Sequence, residues 1–212
     1  MSGRFIVLEG VEGSGKTTQV ALLGQRLSGM SVAHRLTREP GGTAVGEQIR
    51  SVLLHGGPVP AEAELLLMLA ARAAHVHEVV RPALAAGEIV VCDRYELSTF
   101  AYQGIGRDLG LERVKQLNDF ATSGVRPDLT IVVDVGPELG AARRTLSRPE
   151  KDRIERESAG FHARVAEAYR LLAAKEPGVM LVDGTPPANV VHREIMRVLA
   201  LRFPETFAYY EG

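Results

Sequence analysis

The chain has 212 residues, enough for one α/β domain with a full core. Charged residues make up 24% and hydrophobic ones 45%, and the net charge is −1. Nothing therefore draws the whole chain toward nucleic acid or an anionic membrane, and any basic site must be local. A single cysteine, Cys92, excludes an internal disulfide framework, and the sequence carries neither a bilayer-length apolar run nor a secretory h-region. The expectation is a cytoplasmic protein that contacts neither nucleic acid nor membrane.

Phe5 to Leu8 reads as a buried strand that breaks at Gly10, and Lys16, Thr17 and Thr18 open a helix running through Leu22, Leu23 and Leu27. Between them Gly10–Thr17 fits G-x-x-x-x-G-K-[ST] in the strand–turn–helix context that motif requires. Gly10, Gly13 and Gly15 let successive amides point inward, and Val11, Glu12 and Ser14 fill the variable positions. The helix N-terminus adds its dipole and unpaired amides, Lys16 a charge for β/γ phosphates, and Thr17 a hydroxyl for magnesium. A carboxylate at Glu12 is repelled by the anion its own loop binds. It is expected to turn from the donor phosphates toward a hydroxyl or a magnesium water.

A second strand is predicted over 30–37, a turn at 38–43, a helix near 44–55 and a long helix over 61–86, bent or interrupted before Pro82. Glu88 to Cys92 is a continuous apolar strand ending in Asp93-Arg94-Tyr95. Helices are predicted at 97–103 and 111–123, a strand at 129–135, a helix at 137–147 and a charged segment at 148–157. A helix at 158–175, a strand at 179–182 and a helix at 187–202 follow, and the tail 203–212 shows no clear helix. Met180, Met196 and Phe203 read as core. The alternation implies a five-stranded parallel, doubly wound sheet with right-handed crossovers, as one domain. Ligands of such sheets sit at the carboxyl ends of the strands, so Glu9, Asp93, Arg94 and Asp134 should share a crevice.

Asp93 could hold magnesium or its waters, and Arg94 could grip an acceptor phosphate; the alternative is a structural Asp–Arg pair. Arg148 and Arg153 flank Pro149 in the charged segment, where a lid could close over phosphates. Arg143, Arg144 and Arg156 read as a solvated helix face. His75 and His77 sit two apart on a helix and cannot share a metal there.

Taken together, Glu9–Thr18, Thr37–Thr43 (Thr-Arg-Glu-Pro-Gly-Gly-Thr), Ala70-Ala71-Arg72, Asp93-Arg94-Tyr95 with Ser98–Gly104, Arg126–Thr130 and Asp152–Glu155 resemble bacterial thymidylate kinases over nearly the whole length. The resemblance implies a P-loop NTPase fold with a lid near 147–157, and transfer of the ATP γ-phosphoryl to dTMP with Mg2+ in a homodimer. It implies that the loop, Gly10–Thr18, holds ATP and that Thr17 serves the metal; with the residues read above, the metal candidates are Thr17 and Asp93 and the catalytic candidates Lys16, Glu12, Arg94, Arg148 and Arg153. Arg94 would take the dTMP phosphate, with Glu12 near the sugar 3′-hydroxyl. Arg72 and Thr99 would read thymine beside Gln103, Tyr102 would crowd the 2′ position, and Glu39, Pro40 and Arg50 would line the acceptor side. Arg148 is the implied lid arginine, because the loop offers none. Met68 stands where the family commonly stacks a phenylalanine. Other nucleoside monophosphate kinases of the dUMP, UMP or CMP type share this chemistry; a non-catalytic P-loop switch would carry Asn-Lys-x-Asp, which is absent.

Overall fold

The computed structural model describes residues 3–147 and 150–207. Five strands form one parallel sheet: β1 (Arg4–Glu9), β2 (His34–Arg38), β3 (Ile89–Asp93), β4 (Leu129–Asp134) and β5 (Val179–Asp183), in the order β2-β3-β1-β4-β5. Parallel strands need crossovers. These are α1 (Lys16–Gly29), α2 (Ala44–His55), α3 (Ala61–His75), α4 (Arg81–Ala85), α5 (Glu96–Thr99), α6 (Leu111–Thr122), α7 (Pro137–Ser147) and α8 (Ala159–Lys175), with α9 (Ala188–Arg202) and α10 (Pro204–Phe207) after the last strand.

The central strand shows why the sheet needs cover on both faces. Side chains alternate along β1, and its apolar residues are buried in both directions. Ile6 and Leu8 pack with Leu23 and Leu27 of α1 and Ile195, Met196 and Leu199 of α9. Phe5 and Val7 pack with Val76, Val80, Cys92 and Tyr95 on the other side. Each such side chain contributes roughly 1.5–3 kcal/mol by leaving water. Cys92 is a buried free thiol, and burial pushes its pKa up, the behaviour of an inert core residue.

Several boundaries differ from expectation. β2 begins at His34 rather than Met30, because Met30 and Val32 pack onto the core from the preceding turn. The long 61–86 helix is continuous but passes through a π-helical segment, Val76–Val80, ahead of Pro82. A second π-helical segment, Phe100–Gly106, extends α5 through the glycines expected to end it. The tail start is helical, with Phe203 and Phe207 buried against the α9 side. Met180 lies on edge strand β5 and is 46% exposed, so it is not core.

Candidate active site

At the carboxyl ends of β1 and β3 the chain leaves the sheet in two sharp turns. After β1, Gly10 and Gly13 take φ of 137° and 72°. A Cβ at Gly13 would meet the Gly140 carbonyl of α7 at 2.0 Å, so the turn closes only with glycine there. Lys16 opens α1, and its Nζ donates to the Val11 carbonyl at 2.8 Å and weakly to Ser14 Oγ at 3.4 Å. After β3, Arg94 takes φ 73°, left-handed for a residue with a side chain, while its amide still donates to the Leu8 carbonyl at 2.9 Å.

That backbone conformation throws the Arg94 guanidinium over the glycine turn. Nη2 donates to Glu12 Oε1 at 2.6 Å; Nη1 donates to the Gly10 carbonyl, Ser98 Oγ and Tyr169 OH, each at 3.0 Å. Beneath it, buried Glu9 accepts from the Tyr95 and Ser98 amides with one oxygen, tying down the start of α5. Its other oxygen accepts from Ser98 Oγ and Tyr169 OH. Burial pushes the Glu9 pKa up, with Arg94 and these hydrogen bonds opposing. Burial acts the same way on Glu12, but Arg94 and Lys16 outweigh it and hold that carboxyl below the usual range. Lys16 falls to about 8: burial is the larger cause and the nearby Arg94 charge the next.

Of these groups Glu12, Lys16, Arg94, Tyr95 and Ser98 line a cavity of ≈ 290 Å³; Glu9 and Tyr169 lie behind it. Thr17 and Asp93 are hydrogen-bonded to each other beside it. Glu39, Pro40, Arg50 and half-buried Met68 line it as well. Arg72, Thr99, Tyr102 and Gln103 line it too, and all four are buried. Arg50 donates to the Pro40 carbonyl, across a cis Glu39–Pro40 bond. Arg72 spends three N–H groups on Glu39, Asn118 and the Tyr95 carbonyl; Glu39 also contacts His75 at 2.7 Å. Burial works against ionisation of both Glu39 and Arg72, but their pairing keeps both charged. The Tyr102 hydroxyl is buried without a hydrogen-bond partner, and Arg94 lies 5.5 Å over its ring. Gly10, Val11, Gly13, Ser14, Gly15 and Thr18 shape the loop and helix start and do not line the cavity.

Four expectations need correction or limits. Of the four strand-end residues expected to share the crevice, Glu9 and Asp134 do not line it: Glu9 is fully buried beneath Arg94, and Asp134 pairs with Arg170 at 2.9 Å. Arg153 turns away from the cavity, donating to the Leu53 carbonyl and to Glu64 Oε2 at 2.6 Å, while its neighbours Asp152, Ile154 and Glu155 line it. Arg143 and Arg144 are not a solvated face: Arg143 donates to the carbonyls of Gly184 and Thr185, and buried Arg144 donates to the Glu150 carbonyl. Arg148 lies outside the described residues. Reasoning from sequence missed Tyr169, Ser98, Glu64 and Asn118 as supports of the site. Ser98 stood inside a recognised string, but the other three reach their partners only through tertiary packing.

Among the described residues, no group of three or more His, Cys, Asp or Glu side chains could hold a metal by itself. No helix among them is long and apolar enough to cross a membrane.

A family model described as thymidylate kinase matches residues 8–195. A thymidylate kinase of Synechococcus sp. (strain JA-2-3B'a(2-13)) is 54% identical over 94% of this chain and 96% of its own length. One from Trichormus variabilis is 45% identical over 97% and 99%. The crystal structure of thymidylate kinase from Ehrlichia chaffeensis superposes with a TM-score of 0.78 at 32% identity, covering 94% of this chain and all of that one. Identity at this level, spread over almost the full length of both partners and matched by the same fold, has one explanation: the chain belongs to the thymidylate kinase family.

Proposed function

We propose that this chain transfers the γ-phosphoryl group of ATP to dTMP, giving ADP and dTDP. The observation that carries this reading is the placement of Arg94, whose guanidinium bonds the Gly10 carbonyl and Glu12 of the glycine turn. An acceptor phosphate held by that fork lies against the loop that holds the donor, the in-line arrangement phosphoryl transfer requires. The loop amides and Lys16 bind the ATP phosphates. Arg94 exchanges Glu12 for the acceptor phosphate, and the released carboxylate is then free for the sugar 3′-hydroxyl. Met68 packs on the base, Arg72 and Thr99 contact its edge, and Tyr102 fills the 2′ position.

The oxygen donors Thr17 and Asp93 fit Mg2+, which keeps most of its shell as water and phosphate and asks few protein ligands. Held there, such an ion would neutralise charge on the transferring group. Residues 147–157 act as a lid within a single domain, with Arg148 as its arginine, and Arg153 anchors the segment instead of reaching the phosphoryl group. A homodimer forms through exposed Leu66, Leu117 and Phe120 on the packed helices α3 and α6. A cytoplasmic location keeps the Cys92 thiol reduced.

A panel of monophosphates with Mg-ATP, read by ADP release, tests the assignment. dTMP is expected to turn over fastest, dUMP more slowly, and AMP, CMP and GMP poorly. Equal turnover of CMP and dTMP would overturn the choice of base.

A further inference from the structure

Glu64, in the first turn of α3, is 1% exposed and does not line the cavity. Its carboxylate is nevertheless saturated. Oε1 accepts from Gln103 Nε2 at 2.8 Å and from Arg107 Nε at 3.2 Å. Oε2 accepts from Arg107 Nη2 at 3.0 Å and Arg153 Nη2 at 2.6 Å. Burial pushes its pKa up, but these donors outweigh that and keep it ionised. Two guanidiniums lock its position.

A carboxylate only accepts hydrogen bonds, so it dictates which end of the Gln103 amide it meets. The NH2 must face Glu64, since the reverse orientation sets two oxygens against each other. The carbonyl Oε1 is left at the other corner of an amide that lines the cavity, where it accepts no hydrogen bond among the described residues. Arg72, with two of its five N–H groups uncommitted, also lines the cavity. The wall thus offers a fixed donor and a fixed acceptor.

We infer that Glu64 is a positioning residue for base selectivity: it holds the Gln103 amide with its oxygen toward the acceptor, so that the site accepts a pyrimidine with a protonated N3 and rejects cytosine. Thymine and uracil present an O4 acceptor beside an N3–H donor, whereas cytosine presents an N4–H2 donor beside an unprotonated N3. With the amide free to turn, NH2 could meet cytosine N3. With it locked, two lone pairs collide, and a site built this way discriminates strongly. The inference rests on the reading of dTMP as acceptor and adds the residue that enforces it.

The test compares kcat/KM for dTMP and dCMP. Glu64→Gln presents a side-chain amide that both donates and accepts, so it no longer dictates the Gln103 orientation. The dTMP:dCMP ratio is expected to fall at least tenfold, mainly through KM, with KM for ATP unchanged. Arg107→Ala, which removes another partner of Glu64 without touching Gln103, keeps the ratio. A folded Glu64→Gln enzyme whose ratio stays within twofold of the parent overturns the inference while leaving the base assignment intact. A parent enzyme with no preference for dTMP removes both. A second measurement needs no Glu64 variant: the Gln103 side-chain NH2 resonance, assigned by its loss in Gln103→Leu, is expected to stay carboxylate-bonded when dTMP binds. Transfer of that NH2 to the nucleotide overturns the inference.

Discussion

Lys16 titrates near pH 8 in the empty loop, well below its ordinary 10.5, because it is buried and sits near Arg94. The negative charge of a bound phosphate opposes both causes, so nucleotide binding favours the charged form. Below pH 8 the amine is already protonated; above it, binding must take up a proton, and affinity falls as pH rises. With a free pKa of about 8 the apparent Kd scales as 1 + 10^(pH−8), a loss of about tenfold between pH 7 and 9, or about 1.4 kcal/mol. Uptake is about half a proton at pH 8 and about 0.9 at pH 9; an unperturbed lysine would take up only about 0.03 at pH 9. Calorimetric titration of Mg-ADP in buffer pairs of different ionisation enthalpy reads that uptake directly. The ligand-free enzyme behaves oppositely. Its depressed lysine costs about 3 kcal/mol of folding stability at every pH below 8, relieved as pH climbs from 8 to 10.5. Lys16→Met is therefore expected to lose nucleotide binding and its proton uptake yet to melt higher at neutral pH. Uptake below about 0.1 proton at pH 9 with a flat Kd would show that Lys16 is fully charged in the empty loop, and the argument would fail.

Arg94→Ala removes a fork whose charge-assisted bonds are worth about 3 kcal/mol or more together, so kcat/KM for dTMP should drop at least about 100-fold. Mg-ADP affinity should change little, and its loss would place Arg94 on the donor side. Tyr169→Phe deletes the hydroxyl shared by Arg94 and Glu9; kcat/KM for dTMP is expected to fall about tenfold, the value of roughly one hydrogen bond to a charged group, and an unchanged value would make Tyr169 mere packing. Gly13→Ala forces a Cβ onto the Gly140 carbonyl at φ 72°. Thermal unfolding should show a loss above about 1 kcal/mol together with lost nucleotide binding, because the strain of a left-handed residue adds to the clash.

Central strands were legible because a sheet covered on both faces leaves continuous apolar runs: Phe5–Leu8, Ile89–Cys92 and Leu129–Val133 are all buried. The edges were less so. β2, His-Arg-Leu-Thr-Arg, is half exposed and carries no such run, and its start was misplaced onto the apolar Met30–Ala33 that precedes it. The glycine turn was legible because a turn this tight demands particular backbone angles, and those restrict sequence locally. Charged residues were not, because a guanidinium's partner is chosen by packing. Arg153 differs little by composition from Arg156, yet it is held by Glu64, 89 residues away, whereas Arg156 is exposed. Tyr169 reaches Glu9 across 160 residues of chain.

The position of Arg94 unites these observations. Holding a non-glycine residue at φ 73° costs about 1 kcal/mol or more, and an ordinary strand end would send the side chain elsewhere. The surrounding structure enforces the turn through the Arg94 amide on Leu8 and the Tyr95 amide on Glu9. The guanidinium thereby reaches a cavity that already contains Lys16, and two cations there repel, which is part of why Lys16 is easily deprotonated. Glu12 offsets that repulsion while the site is empty, at 2.6 Å from Arg94 and from a side chain still 38% exposed. Arg94 is 14% exposed, so it is the Glu12 end of the pair that can swing out into water. On the proposed function, an arriving acceptor phosphate supplies the same charge in the same fork, so it would meet a preorganised site and displace one carboxylate without any rebuilding of the backbone.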